Sequence, residues 1–302
     1  MTSPGLISSR RAFIASALAL GACAPRQEAG SQALSSKGVD TLAAAVAGPW
    51  RTPQDRARDR WRHPAETLAF WGLKPGMTVV EFWPGAGWYT DIVAPFLDST
   101  QGKLYAADFQ TDDPNDPAAR RVVEAFKAKL QSAPRLYGDV TVTAFGPTSG
   151  PVAPAASADL VLFLRNVHNW MAAAIAEKAF RDAFAALKPG GVLGVEEHRA
   201  EAGGVQDALA PDGYVSEAFI ERLATEAGFR LAAKSEINAN PKDTRDHPFG
   251  VWTLPPTRLS APRGEPAKPG FDHAKYDAIG ESDRMTLKFT KVAPKAPPKK
   301  TH

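Results

Sequence analysis

Val79-Val80-Glu81-Phe82-Trp83-Pro84-Gly85-Ala86-Gly87-Trp88-Tyr89-Thr90 reads as a buried strand, a glycine turn and the opening of a helix. The apolar run ends in an acid, and Gly85 and Gly87 let the backbone pass close to a ligand because no Cβ stands in the way. A unit of this kind opens an α/β sheet whose binding crevice lies at the carboxyl ends of its strands. A glycine pair also serves a tight turn with no ligand, so its meaning depends on the rest of the chain.

The alternation continues downstream. Residues 103–107 read as a second strand closing at Asp108, and 120–131 as a helix after the Pro- and Asp-rich loop 112–117. Strands are expected at 140–145, 160–164 and 192–196, with a helix at 177–187 that stops at Lys188-Pro189-Gly190-Gly191. A helix over 216–227 has Ser216 as its N-cap, and 229–237 and 284–290 supply the last strands. The stretch 239–283, dense in Pro, Gly, Asp and Lys, reads as mostly irregular. This rhythm predicts an α/β, Rossmann-like fold: a mostly parallel seven-stranded sheet with helices on both faces and an N-terminal helical extension. In that extension, residues 50–72 carry Trp50, Trp61, Phe70 and Trp71 among many arginines, as amphipathic pieces covering the sheet or roofing a site.

Asp108 closes the second strand 21 residues after Gly87, the spacing at which a carboxylate accepts hydrogen bonds from both hydroxyls of a ribose. The other reading of this acid is a solvated residue or cap at the start of a loop. The fourth strand runs into Arg165-Asn166-Val167-His168-Asn169-Trp170. His168 is the candidate catalytic base, since imidazole titrates near neutrality, and Asn166 and Arg165 are placed to orient a ligand. Its alternative is a structural histidine hydrogen-bonded in a loop. His198, after Glu196 and Glu197, ends the fifth strand at the same edge. Trp170, His198 and Tyr214 are the candidate substrate pocket, with core packing as the competing role for the aromatic residues. No histidine pair has the i, i+4 spacing of a helical zinc motif, and no metal is expected.

The run from Glu81 to Gly87, Asp108, Asp159 at the fourth strand and Leu187-Lys188-Pro189-Gly190-Gly191 before the fifth resembles the class I S-adenosylmethionine-dependent methyltransferases, in the order of that superfamily. The stretches "EFWPGAGWYT", "RNVHNWM", "DHPFGVWTLPP" and "GESDRMTLKF" are similar to a bacterial group of predicted methyltransferases, many of them exported. The resemblance implies S-adenosyl-L-methionine as cofactor, with Glu81, Gly85, Gly87 and Asp108 as its binding residues, and Asn166 is added to them from its place after the fourth strand. It further implies that the helix after the glycine turn faces the methionyl carboxylate. The chain departs from the superfamily pattern twice. Trp83 stands at the first glycine of the motif, with Pro84 behind it, and Ala144-Phe145-Gly146 replaces the acid that often meets the adenine amino group.

Thirty-six Lys and Arg against 33 Asp and Glu leave no broad basic field, so no nucleic acid partner is expected, and 302 residues suffice for one large domain with short appendages. The first segment carries Arg10-Arg11, a short apolar run and Leu20-Gly21-Ala22-Cys23, which resembles a twin-arginine export signal ending in a lipoprotein box. Residues 1–22 are therefore expected to be a signal peptide, and Cys23, the only cysteine, to be lipidated. Residues 23–48 come next as a flexible tether, 49–292 as the domain and 293–302 as a disordered Pro/Lys tail. The expected location is the periplasmic side of a bacterial membrane, with the lipid as the only membrane contact. Export sits uneasily with a methyl donor made in the cytoplasm. Two functions stay open: methyl transfer to a small-molecule or envelope substrate, or an exported small-ligand-binding protein on this fold, with a lyase, isomerase or hydrolase using His168 and His198 as a variant.

Overall fold

A computed structural model describes residues 34–113 and 116–292. Cys23, the export-like segment and the 293–302 tail lie outside the described residues.

The strands are β1 (Thr78–Phe82), β2 (Lys103–Phe109), β3 (Val140–Phe145), β4 (Ala158–Leu164), β5 (Leu187–His198), β6 (Phe229–Ser235), β7 (Pro248–Val251) and β8 (Arg284–Lys291). Seven of them form one sheet in the order β3-β2-β1-β4-β5-β8-β6, while β7 stands outside it. β1 pairs in parallel with both β2 and β4, and β8 runs antiparallel between β5 and β6. The order therefore reverses between β1 and β4, the place where open α/β sheets bind ligands.

Alternation along the central strands feeds two cores. Val79, Leu160 and Leu162 pack with Leu68, Trp71, Ile92 and Phe96, whereas Val80, Phe82, Val161 and Phe163 pack with Trp170, Phe180 and Leu223. Both faces are thus covered, as a parallel sheet requires. Each fully buried large side chain contributes about 1.5–3 kcal/mol. Asp159 ties the other end of the sheet: its carboxylate accepts the Thr78 N–H at 2.8 Å and pairs with Lys188 at 2.6 Å. At Gly194 in β5 a Cβ would lie 2.4 Å from the Trp71 ring, so only glycine lets that indole lie flat on the strand.

The N-terminal extension is bolted to this frame. Helices Pro53–Arg56, Asp59–Arg62 and Pro64–Trp71 succeed one another, and Trp71 Nε1 donates to the Leu287 carbonyl of β8 at 2.9 Å. In helix Thr90–Ser99, Pro95 lacks the N–H that would reach the carbonyl of Asp91. Trp50 Nε1 takes that carbonyl instead, at 2.7 Å.

The expected tether over 23–48 is corrected from its carboxyl side. Ser36 hydrogen-bonds Asp98 and the Arg135 carbonyl, Val39 and Ala45 are buried, and Leu42–Val46 is a helix capped by Thr41. Small apolar side chains with a place to dock order this stretch despite its Ala- and Ser-rich composition. The helix read over 177–187 ends one residue sooner, at Ala186, and β5 begins at Leu187.

Candidate functional site

The site is built where β1 leaves the sheet. The Trp83 N–H still bonds the Ala107 carbonyl at 2.8 Å, continuing the ladder with β2. The backbone then turns through positive φ at Trp83 (44°), Gly85 (59°) and Gly87 (80°) into helix Thr90–Ser99. A tryptophan in the left-handed region is strained, at about 1–3 kcal/mol. A Cβ on Gly87 would meet Phe126 at 3.1 Å and Lys129 Nζ at 3.3 Å, because helix Pro117–Ser132 lies against the turn. Lys129 donates to the Ala86 carbonyl at 2.8 Å and pairs with Asp91 at 2.7 Å.

On the β4–β5 side lies a cavity of about 300 Å³, with Gly85, Asn166, His168 and His198 in its lining. His168 sits on helix Val167–Ala172 directly after β4, and its Nδ1 lies 3.0 Å from Glu197 Oε1. Glu197 is fully buried and also accepts the backbone N–H groups of Val167 (2.6 Å), His168 (3.3 Å) and His198 (2.8 Å). It supplies the cap that Asn166 does not give this helix. A buried carboxylate facing Nδ1 assigns the proton there and leaves Nε2 as acceptor, the state a general base needs. The His198 ring lies 5.3 Å from that of His168, and its Nδ1 is 2.6 Å from Ser282 Oγ. Burial first, and then the positive charges of neighbouring groups, Arg284 and Arg165 among them, push the His198 pKa well below its ordinary value, so the ring is neutral.

Guanidinium groups complete this half. Arg165, at φ 58°, donates to Glu196 at 3.0 Å, and Tyr89 OH meets the same oxygen at 3.0 Å. Arg284 pairs with the other oxygen of Glu196 and with Glu281. Arg58 and Arg62, on the cavity wall, each spend Nε on Glu281, at 2.7 and 2.8 Å.

His168, Glu197 and His198 bring three potential ligand atoms within 4.8 Å of one another. Glu197 already accepts four N–H contacts, counting the His168 ring, and Arg165 and Arg284 add positive charge beside His198. A divalent cation would have to displace those donors, so the set suits a hydrogen-bonded acid–base group better than a metal centre.

The β1–β2 side is closed. The Trp83 indole stacks on Phe109, with ring centres 4.1 Å apart and planes 23° apart, and its Nε1 donates to the Phe145 carbonyl at 3.1 Å. Asp108, next to Phe109, is fully buried. Its Oδ1 accepts the Phe109 N–H at 2.9 Å and its Oδ2 has no partner, while burial raises its pKa to about 6. Glu81 is buried with Thr90 Oγ1 donating to it at 2.7 Å, and burial raises its pKa to about 7. A cleft of about 510 Å³ flanks the stack, lined by Phe109, Gln110, Asp112 and Thr148. Trp83 lines both hollows and is the wall they share.

Of the residues singled out from sequence, Gly85, Asn166, His168 and His198 meet at the cavity, whereas Glu81, Gly87 and Asp108 do not line it. Asn166 Nδ2 reaches the carbonyls of Phe82 and Trp83 at 3.3 and 3.1 Å, tying β4 to the glycine turn. Two residues expected in the substrate pocket do not line this cavity. Trp170 is fully buried against Phe82, Phe145 and Phe163, because its helix turns it toward the sheet. Tyr214 is buried with its hydroxyl 3.0 Å from both oxygens of Asp243, outside the cavity lining. Sequence reading passed over Glu197, Glu281, Arg58 and Arg62 as site residues. The signals present were the arginine-rich 50–72 segment, the acids before His198 and the "GESDRMTLKF" stretch.

No family model matches the chain, and no curated protein matches it. Among solved structures it is similar to an S-adenosylmethionine-dependent methyltransferase from Aquifex aeolicus, at 18% identity over 78% of this chain and 93% of that one, with a TM-score of 0.51. It is equally similar to the [4+2]-cyclase SpnF, at 17% identity over 84% of this chain and 92% of that one, also at 0.51. Identities this low speak for the fold alone. With its strand order, antiparallel β8 and glycine turn after β1, the chain has the Rossmann-like fold of the class I S-adenosylmethionine-dependent methyltransferases.

Proposed function

We propose that the chain is an S-adenosylmethionine-dependent methyltransferase acting on a small molecule held in the His168 cavity. The observation that carries this reading is Asp108 Oδ2, a buried carboxylate oxygen with no partner at the end of β2. A buried acceptor left unpaired costs about 1–3 kcal/mol, and ribose hydroxyls are donors of the right kind to answer it. The residues present fit the cofactor on one condition: the Trp83 ring must leave Phe109. Asp108 would then hold the ribose, Phe109 and Phe145 would pack on the base, and Gly85, with nothing within 4 Å of a Cβ position, would leave room at the turn. When bound, the cofactor supplies a methyl group on a sulfonium. The chain's own contribution is alignment, through Asn166 and the fixed end of β4, and removal of the acceptor's proton by His168 Nε2. Glu197 stabilises the imidazolium so formed, and the proton leaves to solvent through the cavity mouth.

A second reading is favoured by the Trp83–Phe109 stack: a protein that keeps the fold and binds or transforms a small ligand at His168 and His198 without a methyl donor. Calorimetry of the purified protein with S-adenosylmethionine and S-adenosylhomocysteine, repeated on Trp83→Ala, separates the two. Binding by either protein supports the donor reading. Failure of both leaves only the second.

Export and lipidation at Cys23 belong to the same proposal. Cys23→Ser should release the protein from membranes on fractionation, and an unmodified, full-length soluble wild-type chain in mass spectrometry would overturn it. Among the described residues no helix is long and apolar enough to cross a membrane.

A further inference from the structure

We infer that the His168 cavity recognises an anionic group, a carboxylate or a phosphate, and that the molecule acted on there is a small acid. The inference rests on reading this cavity as the place where the acceptor binds. Its ground is the hydrogen-bond inventory of the wall. Arg58 and Arg62 both line the cavity, and each uses only Nε, on Glu281. Among the described residues their four Nη atoms make no hydrogen bond, and none of the four is fully buried, so both cavity-lining guanidiniums keep accessible donors. Arg165, also in the wall, spends Nη1 on Glu196 and keeps Nη2. A guanidinium presents five donors in a rigid fork that matches carboxylate and phosphate oxygens.

The charges point the same way. Arg58, Arg62, Arg165 and Arg284 face Glu196, Glu197 and Glu281, and the two histidines add nothing negative. The surplus is positive, and it is weakly screened where Arg62 and Glu281 are buried. Glu281 takes one side of each of two guanidiniums and so aims their free ends, a fixed arrangement that surface arginines lack. Stacking of Arg62 over Trp88, at 4.8 Å, holds its fork further in place. His168 lies in the same wall, so an anion seated on the arginines brings the rest of its molecule to the base.

Two sources offer the same chemistry, the acceptor's own acid group or the methionyl carboxylate of the donor, and the test separates them. The purified full chain is titrated in low-chloride buffer with inorganic phosphate and acetate, and with acetamide as the neutral control. The wild type should bind the anions saturably and acetamide not at all. Arg58→Gln should weaken anion binding about tenfold, Arg58→Lys should restore most of it, and both variants should unfold like the wild type. S-adenosylhomocysteine is then compared with methylthioadenosine, which lacks the amino-acid carboxylate. An Arg58→Gln effect on the anions but on neither nucleoside assigns the site to the acceptor. An effect on S-adenosylhomocysteine alone assigns it to the donor and overturns the small-acid substrate. Anion binding with no nucleoside binding sinks the methyl-donor reading and leaves this inference standing. No saturable anion binding by the folded wild type, or equal binding of acetamide, overturns it without recourse to any variant.

Discussion

The two halves of the crevice stand on the same strand edge and treat buried acids in opposite ways. On the β4–β5 side every acid meets a cation or several donors: Glu196 meets Arg165, Arg284 and Tyr89, its Oε1 through the charge of Arg284 and no hydrogen bond, Glu197 meets backbone N–H groups and His168, and Glu281 meets three guanidiniums. On the β1–β2 side Glu81 has one hydroxyl and Asp108 one backbone N–H, and burial lifts them to about 7 and about 6. The first half has its charges paired within the chain and holds His168 preorganised for proton transfer. The second is short of donors and is completed either by protons or by a ligand.

The comparison breaks most visibly at His168. Replacing it with alanine should lower methyl incorporation into a small acid about 10²–10⁴-fold and leave nucleoside affinity unchanged, since the ring belongs to the paired half only. Turnover at the wild-type rate in this variant would remove the base from the mechanism.

Glu81 tests the incomplete half through stability. Its folded pKa of about 7 lies above its ordinary 4.5, so the folded chain holds a proton that the unfolded chain gives up between those values. That contribution is full below about pH 4.5 and is lost as pH rises toward 7. Glu81→Gln keeps the hydrogen bond to Thr90 and has no charge to bury. It should therefore be more stable than the wild type at pH 8, by on the order of 2 kcal/mol, with the gap closing near pH 4.5. Denaturant unfolding at several pH values measures it; a constant gap would mean that Glu81 is not the titrating group.

Asp108 tests the same half through binding. Asp108→Ala should weaken adenosine-type ligands by about 1–3 kcal/mol. Wild-type affinity should fall as pH drops through about 6, where the carboxylate takes up its proton, and the variant should be flat over that range. A variant as pH-dependent as the wild type places the titration elsewhere.

Trp83→Ala is the smallest effect and the sharpest for the comparison. Removing the indole should improve nucleoside affinity about tenfold, the gain from no longer displacing a stacked ring. Weaker binding would instead make Trp83 part of the platform that holds the base, and the closed half would then be already formed.

The frame was legible because each strand carries its own signal. The 140–145 strand and the Ser216 cap fall where apolar runs and turn chemistry put them. The cavity was legible only where it adjoins a strand end, at Gly85, Asn166, His168 and His198. Its arginine wall joins Arg62 to Glu281 across 219 positions, a pairing that no local pattern encodes. The closure at Trp83 was equally out of reach, since a side chain's direction depends on Phe109 and Phe145 in other strands. Composition misled at Ser36 to Val46, where a few small apolar contacts outweigh a tether-like sequence.

The indole of Trp50 sets a boundary for anyone cutting this protein down. Proline can never supply the N–H that the Asp91 carbonyl lacks, and the donor that replaces it comes from 41 positions upstream. A fragment starting beyond Trp50 would carry all seven strands of the sheet and still leave one carbonyl of a buried helix without a donor, next to the glycine turn on which both halves of the crevice depend.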